Sequence, residues 1–175
     1  IGWIVFNNPA KRNAVSMDMW KALSTAVSRL EADPAVRTII LRGAGEEAFV
    51  AGADISEFER ERKSLEARTR YEEAELEALD RLENACHPTI AMIHGFCMGG
   101  GVAIALSCDM RYAADDASFA IPAARLGVAY PWPVLKKLVE IAGTAVAREL
   151  LFTARRFSVM EAEKRGLVNG VVPKA

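Results

Sequence analysis

Hydrophobic and polar positions switch repeatedly between a strand-like and a helix-like period along this chain. Gly2 to Phe6 reads as a short strand, followed by a polar, turn-rich loop from Asn7 to Ala14. Ser16 is placed to cap a helix, and Met19, Leu23, Ala26, Val27 and Leu30 recur at helical spacing; this predicts a helix from Met17 to about Ala32, ended by Asp33-Pro34. Val36 to Arg42 is β-branched and bounded by turns, which predicts a strand. A short apolar strand end, Ala48 to Val50, then gives way to the small residues Ala51-Gly52-Ala53-Asp54. From Ser56 to Asn84 the chain is heavily charged, with only Leu65, Ala74, Leu76, Leu79 and Leu82 as a thin apolar stripe. One or two amphipathic helices with a solvated face are expected there.

The central stretch is different. Thr89 to Ile93 is continuously apolar, as a strand buried on both faces would be, and it stops at Gly95. Gly99-Gly100-Gly101 then opens a buried helix of small residues, Val102 to Ser107. Glycine loses the most backbone freedom on folding, so three in a row suit a place where something must approach the backbone. The first-turn N–H groups of a helix have no partner inside it and carry the positive end of its dipole, so an oxyanion is stabilised there without a charged side chain. Beyond it, Met110 to Ala114 and Ser118 to Ile121 read as strands, and Pro122 to Arg125 as a turn or short helix ending at Gly127. Helices follow from Val134 to about Ala142 and, capped by Thr144, to about Phe152. Ser158 and Glu161 form a capping-box pattern for a third, closed by Gly166, and Leu167 to Val172 is the last strand. Strands and helices mix throughout, which predicts an α/β fold in one domain spanning residues 1–175.

Composition narrows the function. The 175 residues are 51% hydrophobic and 26% charged with a net charge of −1, so neither nucleic acid nor a membrane surface is an expected partner. Apolar stretches end well short of a membrane span, and no signal peptide is visible, although the sequence starts at Ile1. Three cysteines, Cys86, Cys97 and Cys108, form no CxxC pair; this argues against zinc and a disulfide framework and for a reducing cytoplasm. No metal site is expected. Gly95 and Gly99 do not complete a dinucleotide fingerprint, and no Gly-x-Ser-x-Gly elbow exists. His87 and His94 read as structural, and Cys97 and Cys108 as buried and inert. What remains is the pair of backbone-exposing loops, Ala51 to Asp54 and Gly99 to Gly101, each after a strand. Loops at the ends of neighbouring strands can bring two N–H groups onto one carbonyl oxygen.

Asn8-Pro9 with Lys11-Arg12-Asn13-Ala14, Phe49 to Ile55, Gly95 to Gly101, Cys108-Asp109 and Gly166-Leu167-Val168 together resemble the crotonase (enoyl-CoA hydratase/isomerase) superfamily, in the family's order and over nearly the whole chain. The resemblance implies a spiral of repeated ββα units. It implies an acyl-CoA thioester as substrate, with coenzyme A entering only as part of that substrate and no permanently bound cofactor. Its carbonyl oxygen would lie between the N–H groups of Ala53 and Gly100. Lys11, Arg12, Ala14, Ala51, Asp54 and Ile55 would run along the CoA moiety, with a cation of Lys11 or Arg12 near its phosphates. Phe96, Gly101, Ala103, Ala123 and Trp132 would belong to the acyl pocket. The family's usual helices beyond Pro173, which cover the site, are expected to be missing from residues 1–175; assembly would be a homotrimer or a dimer of trimers.

The departures carry the functional reading. Family hydratases hold their two acid/base glutamates at the positions occupied here by Ala103 and Ala123. Each such group is worth about 10²–10⁴ in rate, so efficient hydration is not expected. Leu126-Gly127-Val128 with Tyr130 resembles the methylmalonyl-CoA decarboxylases of the family, in which case Tyr130 would hold a carboxylate or orient the thioester; those enzymes carry a histidine where this chain has Ala53. The alternatives are such a decarboxylase-like enzyme, a non-catalytic acyl-CoA-binding paralogue and, outside the family, a nucleotide-binding domain.

Overall fold

The computed structural model describes residues 1–57 and 64–174. Nine strands form two sheets among these residues. The first contains β1 (Gly2–Phe6), β2 (Ile39–Gly43), β4 (Thr89–Ile93), β6 (Met110–Ala114) and β9 (Gly170–Val172), in that spatial order and all parallel. The second contains β3 (Ala48–Val50), β5 (Phe96–Met98), β7 (Ser118–Ala120) and β8 (Phe157–Ser158), with β8 antiparallel to β7. The pairs β2/β3, β4/β5 and β6/β7 each place one strand in each sheet before the chain turns into a helix. That is the repeated ββα spiral the resemblance implied.

The helices are α1 (Met17–Ala32), α2 (Leu65–Glu83), α3 (Gly100–Ser107), α4 (Ala123–Leu126), α5 (Trp132–Ala142), α6 (Thr144–Thr153) and α7 (Val159–Lys164). Ser16 caps α1 by accepting from Met19 N at 3.2 Å, and Ser64 caps α2 by accepting from Ala67 N at 3.1 Å. The capping box of α7 is complete, with Ser158 and Glu161 each serving the other's backbone. Helix α6 differs from expectation: its N-cap is Gly143, and Thr144 is the first helical residue with no side-chain cap. In the charged segment, the part at residues 58–63 lies outside the described residues, and 65–83 is one helix.

Trp20, Phe49, Phe119, Phe157, Ile39 and Leu41 are fully buried and make the centre of the core. Buried polar groups stitch successive turns together. Asp109 accepts from Thr89 N and Oγ1 at 2.7 and 2.8 Å, tying the start of β4 to the residue before β6. The buried Arg111 guanidinium donates to Cys108 O and Leu167 O at 2.8 and 3.0 Å, which holds the approach to β9 against α3.

Candidate active site

Strands β3 and β5 are parallel neighbours, so the loops that follow them leave the sheet at the same end. After β3, the Ala53 loop is pinned to Val15 on both sides: Val15 N donates to Gly52 O at 2.8 Å, and Asp54 N donates to Val15 O at 2.9 Å. After β5, Gly99 takes a left-handed backbone with φ of +48°, which a residue with a Cβ rarely adopts, and its N–H donates to Ala120 O at 2.9 Å. Gly101 lets α3 press against β3; a Cβ there would stand 2.2 Å from Val50 O. Between them, a Cβ on Gly100 would lie 3.7 Å from Ala53 N. The two expected donors are therefore adjacent, and among the described residues no hydrogen bond uses the N–H of either. They flank the N-terminus of an eight-residue helix.

Tyr130 completes this arrangement. Its hydroxyl donates to Gly99 O at 2.9 Å, and Ala103 N donates to the same oxygen at 3.1 Å. The Gly99 carbonyl and the Gly100 N–H belong to one peptide unit. Two donors on its oxygen fix that peptide's direction and polarise its N–H. Burial, and then the charge of Glu75, hold the Tyr130 hydroxyl well above the usual tyrosine range, so it stays a donor.

A cavity of about 720 Å³ opens in front of these groups. Ala51, Gly52, Ala53 and Ile55 form one wall, with Gly99 and Gly100 beside them; Pro122, Ala123 and the segment from Leu126 to Pro133 form another. Helix α2 supplies the third through Arg68, Tyr71, Glu72, Glu75 and Leu76. Tyr71 is anchored by Trp20 Nε1, which donates to its hydroxyl at 2.9 Å, and Arg68 Nε donates to Glu72 at 2.8 Å. The sequence pattern assigned these charges to a solvated face. Their spacing at 68, 71, 72 and 75 does mark one helical stripe, but binary patterning treats arginine and glutamate as outward-facing.

The expected site residues divide into three groups, of which the third, Lys11, Arg12, Ala14 and Asp54, lies off the cavity wall. Ala51, Ala53, Ile55, Gly100, Ala123, Tyr130 and Trp132 are brought together on the cavity wall. Phe96, Gly101 and Ala103 do not line it. Phe96 is turned toward the surface, where the guanidinium groups of Arg12 and Arg156 lie 4.9 and 5.1 Å from its ring. Gly101 is packed on Val50, and Ala103 is fully buried because its side chain ends at Cβ inside the core. Lys11 Nζ donates to Asp54 Oδ2 and Ser56 Oγ, both at 2.7 Å. Burial alone would raise the Asp54 carboxyl, but these contacts bring it below the usual range. Arg12 pairs with Glu47 at 2.7 Å, and Ala14 is buried in the same loop. Among the described residues no three His, Cys, Asp or Glu side chains gather as metal ligands, and no helix is long and apolar enough to cross a membrane.

A family model for enoyl-CoA hydratase/isomerase matches residues 1–175. The chain belongs to the enoyl-CoA hydratase/isomerase family. Within it, the chain is 38% identical to the short-chain-enoyl-CoA hydratase of Clostridium acetobutylicum, over 97% of this chain and 64% of that protein. It is 37% identical to the peroxisomal Delta(3,5)-Delta(2,4)-dienoyl-CoA isomerase of Arabidopsis thaliana, over 96% of this chain and 64% of the relative. Among solved structures, an enoyl-CoA hydratase/isomerase family protein from Hyphomonas neptunium superposes with a TM-score of 0.96 at 39% identity, over 99% of this chain and 66% of that one. The chain thus spans just under two thirds of the length of these family members.

Proposed function

We propose that this family member binds an acyl-CoA thioester and stabilises the enolate formed next to its carbonyl. The observation that carries the reading is the approach of Gly100 to Ala53 N, with both N–H groups unengaged among the described residues at the mouth of the cavity. As the enolate forms, negative charge accumulates on the thioester oxygen. Two amides already oriented toward it need no reorganisation, and losing one such donor costs about 10²–10³ in rate. The Clostridium relative is a hydratase and the Arabidopsis relative an isomerase; an enolate-type oxyanion is common to both kinds of chemistry. The loop from Lys11 to Ala14, with Ala51, Asp54 and Ile55, is read as the CoA-facing rim. Lys11, paired with the buried Asp54, and Arg12, paired with the exposed Glu47, are the two cations of this rim, and either side chain is read as the one facing the phosphates. Trp132 and Ile55, both well exposed at the rim, frame the acyl entrance.

Alanine at 103 and 123 argues against efficient hydration, which needs one group to activate water and another to protonate carbon. Tyr130 does not replace them. Its single proton rests on Gly99 O, which favours a role in holding the oxyanion peptide over one in gripping a substrate carboxylate. The test is to mix crotonyl-CoA with the protein and follow both the water adduct by mass spectrometry and the carbonyl stretch of the bound thioester. The expected result is binding with the carbonyl stretch displaced to lower frequency and little adduct. Rapid hydration would overturn the assignment against a hydratase, and an unshifted carbonyl would overturn the oxyanion hole.

A further inference from the structure

We propose that Glu75 is the acid/base group that moves the proton at the thioester α-carbon, an assignment that rests on the enolate reading above. An enolate site needs somewhere for that proton to go; Ala123 offers the cavity only a methyl group, and Ala103 does not reach it. The described ionisable groups on the cavity wall are Arg68, Tyr71, Glu72, Glu75 and Tyr130. A guanidinium does not give up its proton under ordinary conditions, so Arg68 is not a base; it is also engaged with Glu72, and both ends of that pair are about half exposed. Tyr71 is buried and accepts from Trp20. Tyr130 has spent its proton on Gly99 O.

Glu75 is the other carboxylate of this wall and the more buried of the two. It lies one helical turn beyond Tyr71 on the inner stripe of α2, is half-buried, and faces the same cavity as Ala53 and Gly100. Its charge reaches the Tyr130 hydroxyl, which itself sits on the peptide that carries the Gly100 donor. Glu75 and the two amides thus line one cavity from different elements. A thioester whose oxygen met the Ala53 and Gly100 amides would have its α-carbon inside the cavity that α2 walls.

In the forward step a Glu75 carboxylate oxygen forms an O–H bond as the α C–H bond breaks. The C–H electron pair becomes the Cα–C1 double bond, and the carbonyl π pair moves to the oxygen facing Ala53 and Gly100. In reverse, the same carboxylic acid returns a proton to carbon, and no oxidant or further reactant is needed.

The test is exchange of the α-hydrogens of butyryl-CoA in deuterated water, read by mass spectrometry, with the bound carbonyl stretch measured alongside. The wild-type protein is expected to incorporate α-deuterium. Glu75→Gln should slow this by about 10²–10⁴-fold while keeping the folded circular-dichroism spectrum, butyryl-CoA affinity and the carbonyl displacement. Glu75→Asp, which keeps a carboxylate at shorter reach, should retain part of the rate and serves if the glutamine variant misfolds; Glu77→Gln, on the exposed face of α2 away from the cavity, should keep nearly all of it. Wild-type exchange in the Glu75→Gln variant would overturn the assignment, as would a displaced carbonyl with no exchange in the wild-type protein. Butyryl-CoA that binds with an undisplaced carbonyl would overturn the enolate reading itself, and the role of Glu75 with it.

Discussion

Replacing Tyr130 by Phe removes one oxygen and leaves the ring, so it isolates the hydrogen bond to Gly99 O. That oxygen keeps its bond from Ala103 N, so the start of α3 should survive. The stability loss should be that of one neutral hydrogen bond, about 0.5–1.5 kcal/mol. The catalytic effect follows from the shared peptide. An oxyanion donor is worth about 3 kcal/mol, and a neighbouring hydrogen bond strengthens such a donor by about 10–30%. The variant should therefore lose about 0.3–1 kcal/mol of transition-state stabilisation, or about two- to fivefold in rate, since 1.4 kcal/mol is tenfold. The assay is α-hydrogen exchange at saturating and limiting butyryl-CoA, with the carbonyl stretch of the bound thioester as an independent readout. KM should stay nearly constant, the rate at saturation should fall, and the carbonyl displacement should shrink by about a tenth to a third. A general acid would show a loss of about 10²–10⁴ instead. A loss of that size, or an unchanged carbonyl stretch, would refute the role of Tyr130 as a positioning residue.

Two further expectations concern the remainder of the molecule. Burial pushes the Cys108 thiol up to about 12 and the Cys97 thiol higher still, whereas Cys86 is exposed; a thiol reagent near pH 8 should label one cysteine quickly in the native protein and all three after denaturation, and fast labelling of three in the native protein would contradict the packing. Glu161 is held at about 2, first by Arg155 and then by the Ser158 backbone, against an ordinary 4.5. Its folded pKa is depressed, so its contribution to stability is full above pH 4.5 and is lost as the pH falls toward 2. Glu161→Gln should lower the melting temperature near neutral pH and flatten its decline across that window, and an unchanged acid profile would show that the pairing contributes nothing.

The features that could be read from residues alone were those with a local physical signature. The Ser16 and Ser158 caps, the Asp33-Pro34 stop and the glycines around α3 each act within a few residues, and the structure has all of them. Strands β5 and β8 were illegible for the opposite reason. They are three and two residues long, too short to show alternation, and exist because parallel or antiparallel neighbours accept their hydrogen bonds. The candidate site divides in the same way. The placement of Ala53 and Gly100 on the cavity was visible because the role proposed for them belongs to the backbone and glycine marks such a place. The α2 wall was not, because a helix bearing many arginines and glutamates gives no hint of which few turn inward. Phe96, next to the glycine segment, was drawn outward by two arginines that approach from residues 12 and 156, a contact no local pattern encodes.

The two amides of the proposed oxyanion hole come from separate turns of the spiral, and neither depends on what its residue carries beyond Cα. Nearly every amino acid has an N–H, so random substitution at Ala53 leaves the donor in place unless proline arrives. The groups that would act on carbon are different in kind: each is a particular side chain, lost or gained by a single exchange, on elements that only border the cavity. On the proposed reading the molecule separates an oxyanion-holding part that is hard to erode from a proton-handling part that is free to drift. A lineage built this way can lose one acid/base pair, recruit a carboxylate from another helix and change its reaction without refolding.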